Sequence, residues 1–334
     1  MTTPPSAPPG GYASLLPTPD PMPPLELSRL LDTLRENVAG VFLGKPEIIR
    51  FAVIALLADG HLLLEDVPGV GKTLLAKAIA KSLNCKFSRI QFTPDLLPGD
   101  IIGTGVYRQN TGSFEFVPGP IFAQVIVADE INRATPRTQS ALLEAMSERQ
   151  VTTDGTTRLL GPPFLVLATQ NPYEFEGTYP LPESQLDRFL MKVKIGYPDR
   201  ESERKILTQH RVGEPVDKLK AVLQPNEIVA LQLAVRNVNV EPPVAEYIID
   251  LVEATRVHPD VALGVSTRAA LAFYRATQAH ALLAGRRYVE PDDVKALAGP
   301  VLAHRIITKG FDASGRSNAE AIVADLVAKT RVPL

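Results

Sequence analysis

Lys72 and Thr73 are the residues in this sequence best placed to do chemistry. They end the run Leu62-Leu63-Leu64-Glu65-Asp66-Val67-Pro68-Gly69-Val70-Gly71-Lys72-Thr73. An apolar strand leads into a glycine-bearing loop, and a helical pattern over residues 74–83 follows. That order is what a phosphate-binding loop requires. Gly69 and Gly71 let backbone N–H groups approach phosphate oxygens with no Cβ in the way, and the helix N-terminus adds positive potential. Lys72 would reach the β- and γ-phosphates of ATP, and Thr73 would ligate Mg²⁺. The nucleotide contact set is then Pro68, Gly69, Val70, Gly71, Lys72, Thr73 and Leu74. The strict pattern G-x-x-x-x-G-K-[ST] has a glycine where this chain has Asp66. A plain glycine turn with a solvated Lys72 also fits the run.

A second cluster follows Val125-Ile126-Val127-Ala128, where Asp129 and Glu130 stand at a predicted strand end. An aspartate there can hold Mg²⁺, and the neighbouring glutamate can act as general base on water. A solvated strand end is the plainer reading of the pair taken alone. The strand at 164–168 ends in Thr169-Gln170-Asn171-Pro172. The Asn171 amide could orient an attacking water, or it could simply form a turn before the proline.

These residues need elements to position them. From residue 62 to about 195, short apolar runs at 62–64, 87–92, 125–128, 164–168 and 191–195 alternate with helical stretches. Such runs predict a mainly parallel sheet covered on both faces. Two stretches read as hairpins: 106–117, centred on Asn110-Thr111-Gly112, and 151–160, with Asp154-Gly155 between threonines. Two helices precede the sheet, at 25–39 and after Pro46. Beyond Tyr197-Pro198-Asp199 only helical patterns are legible. The expected organisation is α/β: a nucleotide-binding core over 25–198, then an all-α lid over 199–334. Nine of the thirty prolines lie in residues 1–24, which read as a flexible or polyproline-like arm.

Composition narrows the classes. Lys+Arg is 35 and Asp+Glu is 37, so the net charge is −2, which argues against a nucleic-acid coat protein. One cysteine, Cys85, excludes an intrachain disulfide and a cysteine-based zinc cluster; it reads as buried rather than catalytic. The five histidines, His61, His210, His258, His280 and His304, show no ligand spacing. The longest apolar run, 51–58, is far short of the roughly 20 residues of a membrane span. The N-terminus has no signal-peptide pattern, so the cytoplasm is the expected location.

In this order, DVPGVGKT (66–73), VADEINRA (127–134), LATQNP (167–172) and LPESQLDRF (181–189) resemble the MoxR-type AAA+ ATPases, relatives of the magnesium-chelatase motor subunits. The resemblance runs from about residue 27 to 327. It implies a P-loop AAA+ core, a helical lid and assembly with copies of itself into a hexameric ring. It assigns Lys72 and Thr73 to Walker A, Asp129 and Glu130 to Walker B, and Asn171 to sensor 1. Arg188 matches the arginine finger that reaches a neighbour's nucleotide, and Arg268 the sensor-2 arginine. Family members often lack the glycine replaced here by Asp66. The hairpins match the helix-2 insert and the hairpin before sensor 1, and Val41-Phe42-Leu43-Gly44 sits where relatives line the adenine pocket. Arg188 and Arg268 also fit as ordinary surface arginines. Of Arg133, Arg137 and Arg149, which follow the acid pair, Arg133 is the best nucleotide or interface contact.

The resemblance implies an ATP-driven motor that remodels or matures client proteins, such as metal-dependent enzymes or von Willebrand factor A domain proteins. A DNA- or RNA-acting ring is the first alternative. It is disfavoured by the charge and by hairpin tips with few basic residues. A nucleotide-binding scaffold without turnover is the second; it predicts loss of the base or finger, yet Glu130, Asn171 and Arg188 are present.

Overall fold

A computed structural model describes residues 24–66, 69–171, 177–209, 213–310 and 318–333. Residues 1–23 of the proline-rich arm, Pro68, Pro172 and His210 lie outside the described residues, while the arm's last proline, Pro24, opens a helix.

Two helices open the fold, α1 (Pro24–Ala39) and α2 (Pro46–Leu57), followed by β1 (Leu62–Glu65), α3 (Lys72–Ser82) and β2 (Phe87–Gln91). The short α4 (Pro98–Ile102) leads into a hairpin of β3 (Gly103–Arg108) and β4 (Ser113–Pro118). Then come β5 (Val125–Asp129), α5 (Pro136–Glu148), a second hairpin of β6 (Gln150–Thr153) and β7 (Thr156–Leu159), and β8 (Leu165–Gln170). A single-turn α6 (Glu183–Leu186) precedes β9 (Met191–Val193). The remaining helices are α7 (Arg200–Gln209), α8 (Pro225–Arg236), α9 (Pro242–Val257), α10 (Thr267–Leu283), α11 (Pro291–Leu302) and α12 (Ala319–Lys329).

Five strands pair in the order β2-β5-β8-β1-β9, every pair parallel. The sheet is buried on both faces because its strands alternate between two cores. Leu62 and Leu64, Val125 and Val127, and Leu165 and Leu167 face α1, α2 and α3. Leu63, Ile126, Ala128, Val166 and Ala168 face α5 and the elements around α4. The first core continues without a break into α8–α12. The C-terminal helices therefore dock on the first two helices rather than standing apart, and α10 packs against both α2 and α8.

The region after 198 departs from an all-helical reading at one place. Val261–Leu263 (β10) and Ile307–Thr308 (β11) pair as a small antiparallel ribbon. Strands of three and two residues are too short to carry a period-2 signal, so the sequence pattern hides them. No helix among the described residues is long and apolar enough to cross a membrane.

Candidate active site

Parallel strands all end on the same edge of a sheet, and ligands of open α/β sheets bind outside those carboxyl ends. Here that edge gathers the loop after β1, the acids after β5 and Asn171 after β8, on three adjacent strands. The register fixes their heights: Leu64 lies beside Thr169, Glu65 beside Gln170, and Ala128 beside Ala168. The Asp66 N–H donates to the Gln170 carbonyl at 3.1 Å, extending the ladder one step into the loop.

Gly69 and Gly71 have φ of 87° and 91°, a region that L side chains avoid. A Cβ on Gly69 would meet nothing within 4 Å, so the space above that backbone is open. A Cβ on Gly71 would come within 3.1 Å of the Phe42 ring. Phe42, from the α1–α2 connection, is buried and forms a wall of this cradle. Gly71 caps α3, which presents its first free N–H groups at the loop. Lys72 Nζ donates to the Asp66 carbonyl at 2.6 Å. Burial pushes the Lys72 pKa below its ordinary value, and the carboxylates of Asp66, Asp129 and Glu130 pull it part of the way back. Asp66, the departure from the strict motif, has a structural use. Its carboxylate accepts the backbone N–H of Gly196 just beyond β9, tying the phosphate loop to the segment that leads to α7.

The acid pair is held by Arg133, which the sequence singled out, and by three neighbours that it did not, Thr169, Arg89 and Gln91. Thr169 Oγ donates to Asp129 Oδ1 at 2.7 Å and accepts the Glu130 N–H at 2.8 Å. Arg89, from β2, donates to Asp129 Oδ2 through Nε at 3.1 Å and Nη2 at 2.6 Å. Gln91 on the same strand donates to Glu130 Oε2 at 3.0 Å, and Arg133 Nε lies 3.1 Å from the same oxygen. Glu130 has φ 56°, a strained conformation for a residue with a Cβ, of the kind that collects at functional positions. The donor set fits the groups the motif implies. Two glycines leave a cradle for phosphate oxygens, and Thr73 with Asp129 offers the hard oxygen ligands Mg²⁺ takes.

The arginines lie elsewhere. Arg188 precedes β9, and Arg268 opens α10 behind the Ser266 cap, whose side chain accepts the Ala269 N–H at 3.1 Å. Both line a cavity of about 400 Å³ together with Gly60, His61, Met146 and Arg305. Gly60 and His61 stand just before β1, so this cavity is at the amino end of the sheet. From His61 to Asp66 is five strand steps, about 16 Å. The structure thus brings Arg188 and Arg268 together and separates them from their own phosphate loop. Arg188 Nη1 donates to the Leu143 carbonyl of α5 at 2.6 Å. Arg149 belongs to the scaffold. It is buried, donates to the Phe164 carbonyl at 2.7 Å and to Asp59 Oδ1 at 2.9 Å, and stacks over Phe164.

Arg89, Gln91 and Thr169 left only faint marks in the sequence. Arg89 and Gln91 alternate with apolar residues on a predicted strand, which looks like a solvated face. Thr169 stood in the run from which the Asn171 amide was singled out.

Comparison with known proteins identifies the family and the fold. The profile of the ATPase family associated with various cellular activities (AAA) matches residues 61–191, and the AAA lid domain matches residues 253–326. The uncharacterised Bacillus subtilis protein YeaC is 48% identical over 92% of this chain and 97% of its own. Chaperone MoxR1 of Mycobacterium tuberculosis is 42% identical over 97% of this chain and 85% of its own. The crystal structure of a candidate ATPase from Cytophaga hutchinsonii superposes with a TM-score of 0.87 at 40% identity, covering 93% of this chain and 97% of that one.

Proposed function

The chain belongs to the MoxR-type AAA+ ATPases, and from that premise we propose that it works as a head-to-tail ring whose ATP hydrolysis remodels client proteins. ATP binding and hydrolysis are the family's activity; the residue roles and the assembly are our reading. The loop N–H groups and Lys72 hold the β- and γ-phosphates. Thr73 and Asp129 would hold Mg²⁺, which would neutralise charge on the phosphate oxygens. Glu130, steered by Gln91 and Arg133, takes the proton of the attacking water, and Asn171 orients that water. Residues 25–198 form the ATPase core and 199–334 the lid.

One observation carries the ring. Arg188 and Arg268 share a cavity at the sheet edge opposite their own phosphate loop. They can meet a nucleotide only when a second copy presents its phosphate edge to them. Such a contact is heterologous, and repeated with closure it gives a ring. Arginine suits the task because its planar fork stays charged against phosphate oxygens.

The hairpins favour protein over nucleic acid as the client. Their basic residues are already engaged: Arg108 pairs with Glu115 at 2.8 Å, and Arg158 lies 3.7 Å above the Phe116 ring while donating to Thr153. Beside that ion pair β3 and β4 expose large apolar side chains, with Tyr107 and Phe114 paired at 5.3 Å between ring centroids. In our reading the partners are client proteins of the family type, von Willebrand factor A domain proteins among them.

Mixing tests the shared site. Lys72→Ala and Arg188→Ala should each abolish turnover, and their mixture should regain part of it, because some interfaces then join an intact loop to an intact arginine. A mixture as inactive as its parts would refute the proposal. Clients should co-purify with Glu130→Gln in the presence of ATP; recovery of nucleic acid alone would refute the client reading.

A further inference from the structure

Five guanidiniums line the cavity that holds Arg188 and Arg268, the others being Arg149, Arg275 and Arg305. Two carboxylates, Asp59 and Asp187, line this cavity with them, and Glu144 and Glu148 line a neighbouring cavity with Arg188. The first two are already committed: Asp59 to Arg149 at 2.9 Å and Asp187 to Arg305 at 2.7 Å. Arg149 and Arg305 are buried and serve the scaffold. Arg188 has one hydrogen bond, to a backbone carbonyl. Arg268 and Arg275 are exposed, and neither makes a hydrogen bond or ion pair among the described residues.

Arg268 and Arg275 are two helical turns apart on α10, so they share a face with about 10.5 Å between them along the axis. Leu271 and Ala272 complete the stripe at the i+3 and i+4 positions and line the same cavity. Leu271 is 68% exposed, an apolar residue set between two exposed cations. Arg275 acts at a distance on Asp59, which already binds Arg149, so positive charge on this face stays in excess and a polyanion would balance it. The cavity already contains the two arginines assigned to a neighbour's nucleotide.

We propose that Arg275 is a third arginine of the shared site and contacts the phosphate chain of the nucleotide held by the neighbouring copy. Leu271 becomes covered by that neighbour as the interface closes. The proposal rests on the reading that Arg188 acts across the subunit interface. No sequence motif marks Arg275; only its position on the Arg268 face of α10 does.

The test uses full-length protein and ATP with Mg²⁺. A charge-assisted hydrogen bond to phosphate sets the expected loss, so Arg275→Ala should lower kcat/KM by about 10- to 100-fold. Light scattering should show the same assembly as the parent. Mixing Arg275→Ala with Lys72→Ala should restore turnover, because Lys72→Ala subunits supply an intact arginine face to intact phosphate loops. Lys72→Ala mixed with Arg188→Ala is the reference pair. If the reference pair fails to recover, the shared-site reading falls and this proposal falls with it. If the reference pair recovers, two outcomes overturn Arg275 alone: wild-type turnover by Arg275→Ala, or a loss that Lys72→Ala does not rescue. Should Arg275→Ala fail to assemble, Arg275→Lys, which keeps the charge, decides. An intermediate kcat/KM in intact assemblies supports a phosphate contact, and full turnover reassigns Arg275 to assembly.

Discussion

Replacing Arg305 by Met should cripple hydrolysis without touching nucleotide binding. Arg305 follows α11, and its side chain is only 3% exposed. Its Nε donates to Asp187 Oδ1 at 2.7 Å, and Nη2 donates to the Asp187 and Phe189 carbonyls at 3.2 and 2.7 Å. Nη1 donates to the carbonyls of Leu190, at 3.0 Å, and Val301. All but one of these acceptors belong to residues 187–190, the segment that carries Arg188. Burial pushes the Arg305 pKa down and the Asp187 carboxylate pushes it back, and an arginine remains charged.

Methionine fills similar space and supplies no donor. It leaves the Asp187 carboxylate and the 187–190 carbonyls without that partner. Breaking a buried ion pair costs about 3–5 kcal/mol, against a total stability of about 5–15 kcal/mol, so the folding margin narrows and the assay is run on protein shown to be folded. A displacement of about 1 Å in a positioned group costs about 10²-fold in rate, so kcat should fall by about 10- to 100-fold. The variant's own phosphate loop lies at the far sheet edge, so in protein diluted to unassembled subunits its Kd for a fluorescent ADP should match the parent. Steady-state ATPase assays and nucleotide titration at 15 °C, with circular dichroism to confirm folding, make the comparison. Unchanged kcat in folded protein would refute the positioning role, and so would a Kd that rises in step with the lost kcat.

Three more outcomes follow from the same geometry. Thr169→Val removes the donor to Asp129 and the acceptor of the Glu130 N–H; it should cost about 1–3 kcal/mol in urea unfolding and lower kcat with little change in nucleotide Kd, and wild-type turnover would refute it. Asp66→Ala frees the Gly196 N–H and should reduce the Hill coefficient of ATP turnover toward one, whereas Asp66→Asn, which keeps an acceptor, should retain it; equal Hill coefficients in both would refute the tie. For Asp293, burial alone would raise the pKa, but hydrogen bonds from His280, Arg286 and the Glu290 N–H hold it at about 2, below the ordinary 3.8. A depressed carboxylate pKa stabilises the fold above the ordinary value and loses that contribution as pH falls toward the folded value, here about 2 kcal/mol between about pH 4 and pH 2. Asp293→Asn should lose that pH slope in urea unfolding, and parallel slopes would refute the assignment.

The sheet was legible because its strands are buried on both faces. Val125-Ile126-Val127-Ala128 has no polar residue to blur it, and the turns around it are marked by glycine and proline. The phosphate loop was legible because its function lies in consecutive residues. What escaped was everything that depends on pairing across the chain. Gln91 reaches Glu130 only because β2 pairs with β5 in the register that sets Gln91 beside Asp129. Arg305 and Asp187 meet through a contact no local pattern encodes. The joint placement of Arg188 and Arg268 needs the polarity of the strands and the docking of α10, neither of which a motif contains. Phe42 shows a mixed case: its run was noticed, and burial against Gly71 makes it both a core residue and a wall of the cradle.

Strand β9 connects these parts physically. Its upper end leads to Gly196, which is bound to Asp66 of the phosphate loop. Its lower end continues from Leu190 and Phe189, which are bound by Arg305. Between them Leu62, Leu63 and Leu64 pair with Met191, Lys192 and Val193, so the strand cannot slide without breaking the sheet. Under the proposed ring, a displacement of the phosphate loop would pass along this pinned strand to the segment bearing Arg188, about 16 Å away. In the proposed ring that segment serves the next nucleotide. Occupancy of one site then biases the arginine of the next, and Arg305 brings the C-terminal helices into the same linkage. Coupling of this kind requires that both ends of the strut be pinned, and Asp66→Ala and Arg305→Met each release one end. The first should weaken communication between sites while sparing the arginine. The second should weaken the arginine itself. Variants that fail in the same way would mean that β9 carries no coupling.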